Sequence, residues 1–92
     1  MSKRAQLFSI LEQMVYHAIN GNASEVLELN KSYRQLEYDV YSFIHEDLRI
    51  EYDLCRTSCV MAFNDLTASN YAGLIADAKA RLEKIKKSEE GN

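Results

Sequence analysis

The sequence predicts an all-α fold: an antiparallel helical bundle with a long central helix, completed by homodimerisation. Three observations carry that expectation. Proline is absent, glycine occurs only at Gly21, Gly73 and Gly91, and Leu, Glu, Lys, Ala, Gln, Met and Arg dominate, so good helix formers fill the chain. Apolar residues recur at steps of three and four through most of its length. Finally, 92 residues hold one domain at most. A domain of that size buries only roughly 60–65% of its unfolded surface, so a second subunit is an expected source of stability.

The first helix is expected at about 3–20, where Leu7, Ile10, Leu11, Met14, Val15, Ala18 and Ile19 make a broad apolar face. It ends at "NGNAS". Gly21 suits the left-handed position just past a helix, and Asn22 with Glu25, or Ser24 itself, can cap the next one.

A long second helix is expected from about 24 to 66. Val26, Leu29, Tyr33, Leu36, Val40 and Phe43 alternate steps of three and four. Within it, "LEYDV" at 36–40 and "IEYDL" at 50–54 echo each other, and each taken alone alternates like a strand. The intervening "YSFIHEDLR" has no Gly, Pro or Asn, and Tyr41, Ile44 and Leu48 carry the helical spacing across it. The echo then becomes two similar turns on one rod roughly 65 Å long. Leu36, Val40, Ile50 and Leu54 would face packed neighbours, with Tyr52 in the seam and Tyr38 outside it. A bend or break near His45–Arg49 is the alternative, and a break near 46 would let four similar helices close as a monomeric bundle.

Residues 40–66 carry two apolar ridges. Tyr41, Ile44, Leu48, Tyr52, Cys55, Cys59, Ala62 and Leu66 make one; Phe43, Ile50, Leu54 and Met61 make the other; Asp47, Glu51, Ser58 and Asp65 run between them. Two ridges require two neighbours. One should be the last helix, and the other either the first helix or a second copy of the chain. That last helix is expected at about 68–88, capped within "NDLTAS", with a narrow seam of Tyr71, Leu74, Ile75, Ala78, Leu82 and Ile85 and a supporting Asp77–Arg81 pair one turn apart. A disordered tail is expected at about 88–92.

The net charge of −3 opposes nucleic acid and anionic lipid in bulk. Residues 1–66 hold ten acids and six bases, whereas 67–92 hold four acids and five bases. Lys79, Arg81, Lys84, Lys86 and Lys87 are therefore the possible basic surface. No glycine-rich phosphate loop, HExxH or elbow serine occurs, so neither catalysis nor a cofactor is expected. Cys55 and Cys59, one helical turn apart, are poorly spaced to bond each other and read as reduced, buried hydrophobes of a cytosolic protein; no metal site is expected. His45 beside Glu46 and Asp47 reads as a solvated polar turn. The start of the chain lacks the apolar run of a signal peptide or anchor.

Tyr16 and Tyr38 fall outside the apolar faces, where tyrosines favour protein contacts, and Asp47 and Glu51 lie between the two ridges, positioned to select a partner's Lys or Arg. These four are the candidate partner-binding residues. "EQMVYHAINGNASEVLELNKSYRQL" resembles the opening of flagellar export chaperones, which implies a groove holding an exported partner's helix. "SEVLELNKSYRQL" resembles the second helix of small aspartyl-phosphate phosphatases, with Asn30-Lys31-Ser32-Tyr33-Arg34 replacing their Ser-Gln-Glu-Leu-Asp signature. Each resemblance covers under a third of the chain. The sequence thus supports a non-enzymatic helical interaction module, a cytosolic adapter, chaperone or inhibitor whose partners are itself and another protein. The alternative is a small nucleic-acid-associated regulator using the basic C-terminal helix.

Overall fold

Ser2 opens the first helix by accepting a 3.1 Å hydrogen bond from the Ala5 N–H, which satisfies one of the donors that a helix start leaves unpaired. The computed structural model describes residues 2–64 and 68–90, which form α1 (Lys3–Ile19), α2 (Ala23–Val40), a 3₁₀ turn (Tyr41–Phe43), α3 (Glu46–Met61) and α4 (Ala68–Glu90). No strand occurs among the described residues. No described helix is long and apolar enough to cross a membrane.

α1 ends in a Schellman motif. Gly21 takes φ +74, the Asn22 N–H donates to the His17 carbonyl at 2.9 Å, and the Gly21 N–H donates to the Ala18 carbonyl at 3.2 Å. The chain therefore turns back at once, and α2 packs along α1. Asn22 occupies the cap position of α2 but makes no capping bond with its side chain, which meets the His17 ring at 3.0 Å instead.

The long central helix does not form. α2 stops at Val40, Ile44 is extended at φ −111 and ψ 134, and α3 starts at Glu46. The cause is a helix start that periodicity conceals. His45 Nδ1 accepts from the Asp47 N–H at 3.3 Å, and its carbonyl accepts from the N–H groups of Leu48 and Arg49. Glu46 and Asp47 place negative charge where the first turn of α3 is electropositive. The break turns Ile44 into the core.

Four helices then close on one another, and the thin layer that required a second copy is absent. α1–α2 and α3–α4 are the two closely packed pairs, with α1 touching both α3 and α4. Leu7, Leu11, Met14, Val15 and Ala18 from α1 meet Val26, Tyr33 and Val40 from α2, Tyr52, Cys55 and Cys59 from α3, and Ala78 and Ile85 from α4. The radius of gyration is 12.5 Å, against about 12 Å for a closed domain of this length. The accessible surface is 5572 Å², against about 5,500 Å² for a compact monomer of this mass.

α4 runs helically through Ser88 and Glu89, where a tail was expected; residues 91–92 lie outside the described set, as do 65–67, which include Leu66 of the expected first ridge. Glu89 is held in place: Arg4 donates to it at 2.8 and 3.1 Å and the Tyr52 hydroxyl at 2.9 Å.

The two echoed tyrosines separate cleanly in this fold, since Tyr52 is fully buried and Tyr38 is 89% exposed. Tyr52→Ala should cost about 3–5 kcal/mol, and Leu11→Ala about 2–5, whereas Tyr38→Ala should stay within about 0.5 kcal/mol in urea unfolding. Comparable losses at Tyr38 and Tyr52 would contradict the packing described.

Candidate interaction surface

α3 carries apolar side chains on two faces, and the bundle uses one. Tyr52, Cys55 and Cys59 point inward and are fully buried, and Leu48 is partly buried with them. The Cys55 thiol donates to the Ala78 carbonyl at 3.4 Å, and hydrogen bonding with Cys59, reinforced by burial, raises its pKa far above that of a free thiol. Both cysteines are buried in the core as packing groups. On the opposite face Ile50 is 52% exposed, Leu54 38% and Met61 48%, and Phe43 in the preceding 3₁₀ turn is 77% exposed. Ile50 and Leu54, expected to face packed neighbours, therefore face solvent.

Beside this ridge lies a groove between α2 and α3. One depression of about 410 Å³ is lined by Arg34, Glu37, Tyr38, Tyr41, Asp53 and Arg56. A second of about 300 Å³ shares Tyr41 and Asp53 and continues to Glu46, Arg49, Ile50 and Leu54. Its floor is polar and rigidly bonded. The buried Arg56 donates to Asn30 Oδ1 and Asp53 Oδ1, both at 3.0 Å, and its guanidinium lies 5.8 Å from the centre of the Tyr33 ring. The Tyr33 and Tyr41 hydroxyls share a 2.8 Å hydrogen bond. Burial raises both phenols, Tyr41 to about 12, so they stay neutral near pH 7. Arg49 Nε and Arg56 Nε are buried without an acceptor among the described residues.

On its other flank α3 is tied to α4. Ser58 donates to Asp77 Oδ2 at 2.7 Å, Arg81 Nε to the same oxygen at 2.9 Å, and Arg81 Nη1 to Glu51 Oε2 at 3.0 Å, with Lys84 Nζ 3.8 Å from Glu51. The expected Asp77–Arg81 pair is thus present. At the far end of α1, the Tyr71 hydroxyl donates to the Ala18 carbonyl and its ring meets Phe63 edge to face at 5.7 Å.

The structure distributes the sequence candidates rather than gathering them. Tyr38 stands on the rim of the α2–α3 groove, while Tyr16, also exposed, lies at the opposite end of the α1–α2 pair against His17. Asp47 is open to solvent beside His45, but Glu51 is engaged with Arg81 and Lys84. Arg81 is spent on Asp77 and Glu51, whereas Lys79, Lys84, Lys86 and Lys87 are exposed. Arg56 and Asn30 escaped the sequence reading; the available signal was a charged residue between two core cysteines, in "CRTSC". The chain matches no known family model, no curated protein and no solved structure.

The Ser58 hydroxyl, together with Arg81, holds the Asp77 carboxyl below its ordinary 3.8. A carboxylate favoured in the folded state stabilises above its unfolded pKa, and that stabilisation disappears as pH falls through the folded value. Asp77 is 40% exposed, so Asp77→Asn should cost at most about 1 kcal/mol at pH 7. The gap in melting temperature between the two proteins should close as pH falls below 3.8. A gap that is independent of pH would place the effect elsewhere.

Proposed function

We propose that the protein is a non-enzymatic helical interaction module, a small cytosolic adapter, chaperone or inhibitor, that binds an amphipathic helix on the outer face of α3. One observation carries this reading. The core is closed by a different set of side chains, yet Ile50, Leu54 and Met61 stay outside at helical spacing on α3, with Tyr38 across the groove. Apolar side chains left exposed along one helix of a closed domain are the kind of surface on which another molecule docks. A partner helix laid there would use periodic apolar anchors, with polar contacts available from Arg34, Arg49 and Asp53 at the groove.

The exposure of Lys79, Lys84, Lys86 and Lys87 leaves a second reading, contact with nucleic acid through α4. It is the weaker one, because Arg81 is internally paired and the chain is acidic overall. Elution from heparin at low salt would speak for α3; retention with a steep salt slope would speak for α4.

The apolar face is tested by the double variant Ile50→Lys, Leu54→Lys. Both side chains are solvent-facing, so its melting temperature should match that of the parent within a few degrees. Proteins captured from the native host by the parent should be lost from the variant. Undiminished capture would remove α3 from the function.

A further inference from the structure

We infer that Arg49, in the groove between α2 and α3, recognises a carboxylate, an Asp or Glu side chain on an amphipathic helix of another protein; this rests on the reading of the outer face of α3 as a docking surface. The first argument is charge. Three arginines line the groove, Arg34 on α2 and Arg49 and Arg56 on α3. Arg34 Nε lies 3.0 Å from Glu37 Oε1, and Arg56 Nη2 lies 3.0 Å from Asp53 Oδ1, so two of the three are neutralised within the chain. The Arg49 side chain makes no hydrogen bond or ion pair with any described residue, and its Nε–H is buried without an acceptor. Asp53, one turn further along α3, is held by Arg56. Glu46, one turn back, sits in the first turn of α3, where the helix start stabilises its charge, and no ion pair joins it to Arg49. A buried donor left without an acceptor is costly. An acceptor supplied from outside would make the bond that the chain leaves unmade.

The second argument is what stands beside Arg49. Ile50 and Leu54 line the same depression of about 300 Å³ and are both exposed. A molecule that reaches the guanidinium therefore also covers apolar surface. Met61 extends that surface roughly 16 Å along α3 from Ile50, further than a small free carboxylate spans. Both walls of the groove are helices, whose backbone groups bond internally, so no strand edge is present for an extended chain to join. A helix with apolar anchors one turn apart and an acid beside them fits this surface.

A carboxylate meets a guanidinium through two parallel N–H···O bonds, which fix its position as well as its sign. The net charge of −3 offers an acidic partner no attraction at long range. The contact therefore selects among helices rather than speeding their encounter.

A displayed library of amphipathic helices, selected on the whole chain, supplies the probe. Selected helices should carry Asp or Glu at one fixed position relative to their apolar residues, and should lose binding to the Ile50→Lys, Leu54→Lys variant. For a synthetic peptide of the leading sequence, changing its acid to the amide, or Arg49→Gln in the protein, should each weaken binding about tenfold, and both together little more than either alone. Arg49→Gln removes no bond of the fold, so the melting temperature should stay within a few degrees. Selection repeated on Arg49→Glu should return Lys or Arg at the same position. Helices that need Ile50 and Leu54 but show no preference for an acid, or one that Arg49→Gln leaves intact, would overturn the Arg49 contact while the docking surface stands. Displacement of the peptide by sodium acetate beyond that caused by sodium chloride at equal ionic strength would assign the site to free carboxylates and overturn the helical occupant. If no selected helix depends on Ile50 and Leu54, both readings fall.

Discussion

The break between α2 and α3 is the constraint on which this structure depends. Without it, residues 24–66 would form a rod, and α1 and α4 could only cover separate halves of it. With Ile44 extended and α3 restarted at Glu46, α2 and α3 fold alongside each other, and α1 touches α3 and α4 as well as α2. The same restart orients α3. Tyr52, Cys55 and Cys59 enter the core, and Ile50, Leu54 and Met61 are left outside. A single local event, His45 and two acids starting a helix, thus separates the apolar residues that close the core from those left exposed.

Polar cross-links then select one pairing of the four helices. Apolar faces as broad as that of α1 pack tolerably in several orientations, whereas a buried guanidinium does not. Removing Asn30 or Asp53 would strand the Arg56 charge, and a buried charge that loses a partner is costly. The Glu89 carboxylate joins α4 to both Arg4 on α1 and Tyr52 on α3. The Ser58–Asp77–Arg81–Glu51 chain fixes the register of α3 against α4. These links account for the fate of the carboxylates read as partner selectors: Glu51 is absorbed by the fold and Asp47 is not.

How much was legible follows from where each signal resides. The end of α1 was readable because Gly21 supplies a backbone conformation that few other residues adopt, and the core tyrosines Tyr33 and Tyr52 were readable from periodicity. The break was visible only as an alternative. Apolar spacing at Tyr41, Ile44 and Leu48 continues straight through it, and the start of α3 is capped by histidine rather than by Ser, Thr, Asp or Asn. The two ridges of residues 40–66 were both recognised, but spacing alone cannot tell which neighbour covers which ridge. That depended on the break, and so did the misplacement of Ile50 and Leu54. Arg56 and Asn30 lie 26 residues apart, and no local pattern joins them before the chain has turned back.

The position of that turn is the most direct point of attack. Spin labels at Leu27 and Met61, both partly exposed, report the separation of the outer ends of α2 and α3 by pulsed electron resonance, with unlabelled chain in excess to suppress distances between copies. An unbroken helix would hold these positions about 51 Å apart, 34 residues at 1.5 Å each. The folded-back arrangement requires a distance well below the 37 Å long dimension of the bundle. A distribution centred near the longer value would contradict the break, and with it the separation of the inner and outer faces of α3.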